Sequence, residues 1–278
     1  KQQKEFDTRE TYGEQNASMY ENVAEGAHNF ILIDEVQEIE GWEKSVRSYR
    51  LEDSTDIVIT GSNSKMLSSE LSTLIGGRYQ EIYVQSLSYI EFLCFHNLED
   101  NDEALWKYIN YGGLPGLIQT GLDDEDLVWD YIKGVYHTVV LKDIVERHSI
   151  RNIAFLNVLL RYFSDTVGKL TSLNNISRYM KSLGQDIAVK SVSTYLSYFR
   201  DAYLLASVGR YDVHGKRLLE SNEKLYFGDV GIRNLIAGGE REGDIEKVLE
   251  NIVYQQLLRM GYTVNVGQLK AGEVDFVC

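Results

Sequence analysis

A chain of 278 residues is longer than one ordinary domain and reads as two or three. Its 44% hydrophobic and 25% charged residues exclude intrinsic disorder and collagen-like or low-complexity chains. The formal net charge of −14 speaks against nucleic acid as a partner of the whole surface, but Leu141 to Ile236 carries 14 Lys and Arg against 9 Asp and Glu, so the middle of an acidic protein is basic.

Residues 1 to 29 are polar, with Ala17, Tyr20, Val23 and Ala24 at helical spacing, and predict one amphipathic helix. Two short apolar runs follow, Phe30-Ile31-Leu32-Ile33 and Ile57-Val58-Ile59, which predict strands buried on both faces. Between them Ile39, Trp42, Val46 and Tyr49 form a helical stripe, so the order is strand, helix, strand, as in a βαβ unit with a parallel sheet. The sheet segment ends near Tyr83 to Leu87, and a helical stretch follows with acidic loops at Glu99 to Glu103 and Asp123 to Asp126. The one proline lies in the turn Gly112-Gly113-Leu114-Pro115-Gly116.

From Leu170 a helix with Leu173, Ile176, Met180 and Leu183 on one face starts at a Thr171/Ser172 cap and stops at Gly184. A second helix carries Val192, Tyr195, Leu196 and Phe199, and a hairpin turns at Asp212-Val213-His214-Gly215-Lys216. Helix, turn, helix, hairpin is the order of a winged helix. A periodic helix with Ile245, Val248, Leu249, Ile252, Val253 and Leu257 then leads to a strand pair, Tyr262 to Val266 and Glu273 to Val277.

No run approaches the roughly 18 to 20 apolar residues of a membrane span, and the first residues lack a basic-then-apolar signal. Cys94 and Cys278 are too few for a disulfide framework. The expectation is a soluble, cytoplasmic protein with no membrane partner. The five histidines have no zinc-like spacing, and the tyrosines are spread over every segment as core and interface residues.

The chemistry-bearing signal is Ile33-Asp34-Glu35, two carboxylates at a strand's end. Phosphoryl transfer needs charge neutralisation and an oriented nucleophile, which such a pair supplies; a polar turn with Asp34 capping the next helix is the plainer reading. Thr60-Gly61-Ser62-Asn63-Ser64 ends the neighbouring strand with Ser62 or Asn63 placed to meet a phosphate, or is a cap-rich loop. Arg78, after Gly76-Gly77, suits transition-state charge or is a surface arginine.

In this order and spacing these residues resemble prokaryotic AAA-plus-like ATPases with a winged helix and a C-terminal domain of uncharacterised function. The resemblance also rests on Gln37, Trp42, Ser86-Leu87-Ser88-Tyr89-Ile90-Glu91-Phe92, Tyr111-Gly112-Gly113-Leu114-Pro115, Tyr226-Phe227-Gly228-Asp229-Val230-Gly231 and Leu249-Glu250-Asn251, with serine at 86 where the family usually has proline. It implies an α/β fold: a partial P-loop NTPase parallel sheet over 1–85, a helical lid-like region over 86–168, a winged helix over 169–236 and the start of a small α/β domain over 237–278. It implies ATP and Mg²⁺ as cofactors, Asp34 on the metal, Glu35 as the water-activating base, Ser62 or Asn63 as phosphate sensor and Arg78 as an arginine finger, which in trans would need a homo-oligomer.

The phosphate-cradling sequence G-x-x-x-x-G-K-[ST] occurs nowhere in the chain. The expectation is therefore an excerpt of a longer ATPase that binds ATP weakly or not at all by itself. The alternative function is a non-catalytic DNA-binding or protein-interaction module. For DNA, Lys190, Ser193, Thr194 and Arg200 lie on the second helix of the winged-helix pattern, and Arg210, Lys216 and Arg217 on or beside its hairpin. Glu250, Glu273 and Asp275 resemble the opening of a restriction-endonuclease-like fold, where carboxylates gather divalent metal; the completing Glu-x-Lys is not in the sequence, and an edge strand with exposed carboxylates is the other reading.

Overall fold

The computed structural model describes residues 28–39, 41–49, 55–62, 64, 79–239, 242–270 and 272–278. The chain forms two compact units, residues 1–83 and 84–278. The helix expected around Ala17 to Ala24 lies outside the described residues, as do Asn63 and Arg78.

In the first unit, β1 (Asn29–Ile33) pairs in parallel with β2 (Thr55–Ile59), Ile31 opposite Ile57 and Ile33 opposite Ile59. The chain crosses between them through a 3₁₀ turn (Val36–Glu38) and α1 (Trp42–Tyr49), the βαβ order that the spacing predicts. Val36, Trp42 and Val46 are buried against Ile33, Ile39, Ile57 and Ile59. The strands were expected to be buried on both faces, and they are not: Phe30, Leu32 and Val58 are 71%, 74% and 53% exposed. Successive strand residues point to opposite faces, and α1 covers one of them, so half of each apolar run is left outside its cover.

The second unit begins with helices: α2 (Tyr89–His96), α3 (Asp102–Tyr111), the short α4 (Leu117–Thr120) and α5 (Glu125–His137). The two acidic stretches read as loops turn out to start helices. Asn101 and Asp124 cap α3 and α5 by accepting the backbone N–H of Ala104 and Leu127, and Asp102, Glu103, Glu125 and Asp126 fill the first turns, where negative charge meets the helix dipole. A π-helix (Thr138–Glu146) continues α5, a form that periodicity in sequence did not indicate.

Next come α6 (Ile153–Asp165), α7 (Leu173–Ser182), α8 (Val189–Asp201) and the hairpin β3 (Leu205–Asp212) with β4 (Arg217–Phe227). Ser172 caps α7 as expected, and Gly184 takes φ +77° just past its end. A single antiparallel bridge ties Thr171, ahead of α7, to Glu223 in β4. The chain then runs through α9 (Val230–Ala237) and α10 (Ile245–Arg259) to β5 (Asn265–Leu269) and β6 (Gly272–Val277). The terminal strand pair does not stand apart: β5 runs parallel to β3, giving one sheet of order β4-β3-β5-β6. One core, including Phe92, Ile132, Leu159, Phe163, Phe199 and Tyr226, joins the helices to this sheet.

Candidate functional site

The parallel register of β1 and β2 brings their carboxyl ends side by side. Thr60 donates its N–H to the Ile33 carbonyl at 2.9 Å and its carbonyl accepts from Val36 at 3.0 Å, which locks the two loops together. The Thr60 hydroxyl then joins both acids, donating to Asp34 Oδ1 and accepting the Glu35 N–H at 3.1 Å. Glu35 adopts φ 47°, ψ 52°, the left-handed region that a residue with a Cβ rarely occupies. Gln37 Nε2 donates to Glu35 Oε2 and, at 3.1 Å, to Ser62 Oγ. Asp34 is exposed and Glu35 half-buried. Gly61 lies against Gln37, whose Oε1 would be 2.9 Å from a Cβ built at that position. The geometry thus joins Asp34, Glu35 and Ser62 through Thr60 and Gln37, two residues given no role from sequence. Their signal was there: both are polar and within three residues of an acidic or hydroxyl candidate.

The residues proposed from sequence for nucleic acid are scattered in their freedom. Lys190, Thr194, Arg200, Lys216 and Arg217 are exposed, and Ser193 is half-buried. Thr194 returns its hydroxyl to the Lys190 carbonyl at 3.0 Å, and Arg200 reaches Ser207 Oγ at 3.4 Å. Arg210 is half-buried and donates to Gln268 Oε1 in β5, so its guanidinium is engaged within the sheet. At the hairpin turn Asp212 Oδ1 accepts from the N–H groups of His214 and Gly215, which hold its carboxyl below the ordinary range.

Glu250, Glu273 and Asp275, grouped in sequence as a nuclease-like remnant, do meet, and they meet on a lysine. Lys224 Nζ lies 2.9 Å from Glu250 Oε1, 2.9 Å from Glu273 Oε1 and 2.8 Å from Asp275 Oδ1, with its side chain only 3% exposed. Tyr226 donates its hydroxyl to Glu250 Oε1 at 2.7 Å. Burial works against the charged form of Lys224, but its pairing with Asp275, Glu250 and Glu273, whose carboxylates accept from the ammonium, prevails and raises its pKa. Sequence reasoning passed over Lys224, although a lysine directly before the buried Leu225-Tyr226-Phe227 run has to find a partner.

The remaining motifs of the resemblance gather in a buried knot. Asp229 caps α9 by accepting from Gly231 and Ile232, and its second oxygen accepts the Gly113 N–H at 2.9 Å. Leu87 and Gly113 pair through the backbone at 2.7 Å, and Tyr108 donates to the Leu87 carbonyl at 2.9 Å. Asn251 grips Phe227 at both backbone atoms, 2.7 Å and 2.9 Å, while Gln255 donates to the Phe227 and Gly228 carbonyls. Asn234 donates to the carbonyls of Ile109 and Asn110. These side chains satisfy buried backbone, so their role is to fix three loops against one another.

Among the described residues no helix is long and apolar enough to cross a membrane. Residues 2–93, a third of the sequence, match the family described as an AAA domain, and the parallel strand pair belongs to a partial P-loop NTPase fold. An uncharacterised protein of Haemophilus influenzae is 37% identical over 252 residues, covering 89% of this chain and 62% of that protein. An uncharacterised protein of Methanocaldococcus jannaschii is 33% identical over 264 residues, covering 89% and 58%. The chain thus spans about three fifths of the length of these curated relatives. A solved structure, the Walker-type ATPase of Pyrococcus abyssi, aligns at TM-score 0.49 and 13% identity over 74% of this chain and 62% of that one. Residues 102–242, more than half of the sequence, match a domain of unknown function, DUF8612, and the chain belongs to that family.

Proposed function

We propose that the chain is part of an AAA-plus-like protein that binds and hydrolyses ATP, with the chemistry at the ends of β1 and β2 and a winged helix over 169–236 that carries the partner. The observation that supports it most is the Thr60 hydroxyl joining Asp34 to Glu35 at the carboxyl ends of parallel strands, where open α/β sheets take ligands. The remaining divisions of the proposal are 1–85 for the ATPase core, 86–168 for the helical lid-like region and 237–278 for the C-terminal domain.

The donor set suits magnesium and nucleotide: the exposed Asp34 carboxylate, the Thr60 and Ser62 hydroxyls and the Glu35 carboxylate are all hard oxygens. In this reading Asp34 would hold Mg²⁺, which would neutralise charge on the phosphoryl group that ATP supplies. Glu35, restrained by Gln37, accepts the proton of the attacking water. Ser62 or Asn63 would serve as the γ-phosphate sensor, and Arg78 would supply the arginine for the transition-state charge, from a neighbouring subunit if the protein is a homo-oligomer. The decisive experiment is Glu35→Gln in the complete gene product. ATP turnover should fall about 10²–10⁴-fold while ATP affinity holds; an unchanged rate refutes the assignment. A complete protein that neither binds nor turns over ATP would favour the non-catalytic binding module.

For the winged helix, support comes from the order α6, the Thr171–Glu223 bridge, α7, α8 and the β3–β4 hairpin, together with exposed Lys190, Arg200, Lys216 and Arg217. A DNA partner would be held through phosphates, so affinity should fall steeply with salt, and Lys190→Gln with Arg217→Gln should lower that salt slope by about 2. Duplex affinity insensitive to salt refutes a DNA role and leaves a protein partner.

A further inference from the structure

The carboxylate cluster of the second unit is centred on an ammonium ion that belongs to the chain. Lys224 comes from β4, Glu250 from α10, and Glu273 and Asp275 from β6, so four side chains from three elements converge on one point. An ammonium has three N–H donors, and three carboxylates stand within 2.9 Å of this one. It donates hydrogen bonds to Glu250 and Asp275, and Glu273 stands beside it as an ion-pair partner at 2.9 Å. Tyr226, fully buried, adds its hydroxyl to Glu250 from the strand position two residues on.

We propose that Lys224 is the resident cation of this cluster, a built-in substitute for a divalent metal ion, and that the cluster is a clamp holding β6 and α10 to the hairpin strand β4. The lysine is buried while Glu273 and Asp275 reach the surface; a divalent ion gripped by the same oxygens would lie about as close to the ammonium as the carboxylates do, and like charges at that separation repel one another. The clamp has a mechanical reason as well. β6 is the edge strand of the order β4-β3-β5-β6, hydrogen-bonded to β5 alone, so its attachment to β4 runs across the sheet through side chains. Remove the lysine and three carboxylates are left facing one another, which pushes β6 and α10 apart. The proposal concerns the second unit alone and does not depend on the nucleotide reading.

The test uses the intact chain, stripped with EDTA, in three measurements. Wild type titrated with MnCl₂ should show no saturable binding that Asp275→Asn removes. Lys224→Met should lower Tm, by about 2–4 °C for each kcal/mol lost, because the carboxylates then face one another without their cation. In case that variant does not fold, brief acetylation of native wild type read by mass spectrometry should leave Lys224 unmodified while exposed Lys190 and Lys216 react, and Asp275→Asn combined with Glu273→Gln should open Lys224 to acetylation. Saturable Mn²⁺ binding to wild type that Asp275→Asn abolishes would overturn the proposal. So would an unchanged Tm in Lys224→Met, or Lys224 labelling as fast as Lys190.

Discussion

Asp229→Ala tests whether the motif knot carries the stability of the second unit. The carboxylate accepts from Gly113 N at 2.9 Å, Gly231 N at 2.9 Å and Ile232 N at 3.2 Å, and the residue is 5% exposed. Losing an N-cap costs about 1 kcal/mol, and leaving the buried Gly113 N–H unmet adds about 1–3 kcal/mol. Together these losses come to about 2–4 kcal/mol. For a unit of this size that is a fall in Tm of about 4–16 °C. Trp129 is the probe, because its ring meets Tyr111 edge-on at 5.6 Å, next to Gly112 and Gly113. Urea unfolding followed by its fluorescence gives the free energy, and amide exchange should show protection lost at Gly113, Gly231 and Ile232 together. A loss below about 1 kcal/mol, or exchange unchanged at Gly113, refutes the reasoning.

Three further outcomes follow from the same geometry. Burial pushes the Asp229 carboxyl above its ordinary range although backbone N–H groups oppose it. A raised folded pKa stabilises below the unfolded value, about 3.9, and that stability is lost as pH rises through the folded value, so the advantage of wild type over Asp229→Asn should narrow from acid toward neutral pH; an advantage that widens contradicts this. Gly231→Ala should destabilise strongly, because its Cβ would sit 2.0 Å from the Tyr111 carbonyl oxygen, whereas Gly134→Ala, with nothing within 4 Å in α5, should add about 0.5–1 kcal/mol; similar effects of the two in thermal unfolding would sink the steric account. Thr60→Val deletes the hydroxyl shared by Asp34 and Glu35 while keeping its shape, so ATP turnover by the complete protein should fall with little change in Tm.

Local pattern made much of the architecture legible. The apolar runs at Phe30 and Ile57 gave parallel strands, the stripe Trp42, Val46 gave the crossover helix, and Ser172, Gly184 and Gly261 marked helix ends, because capping and periodicity act within a few residues. The acid pair Asp34-Glu35 and the hydroxyl loop at Thr60 were legible as a candidate site for the same reason. What stayed hidden depended on residues distant in sequence. Whether Phe30 and Leu32 face the α1 side of the sheet is decided by the pleat and by what packs there, since an unbroken apolar run carries no alternation to read.

By itself the sequence determined the strand-helix-strand order before Tyr83, the helix pair and hairpin after Leu170 and the stock of chemical groups, since these are written in nearest neighbours. Only the tertiary structure decided which groups share a point in space. It put Thr60 between two acids 25 and 26 residues away and Lys224 among carboxylates up to 51 residues away, and engaged Arg210 with Gln268 across 58. A buried charge or N–H must find its partner wherever the packed chain offers one, and that requirement sets the partner without fixing its distance along the sequence.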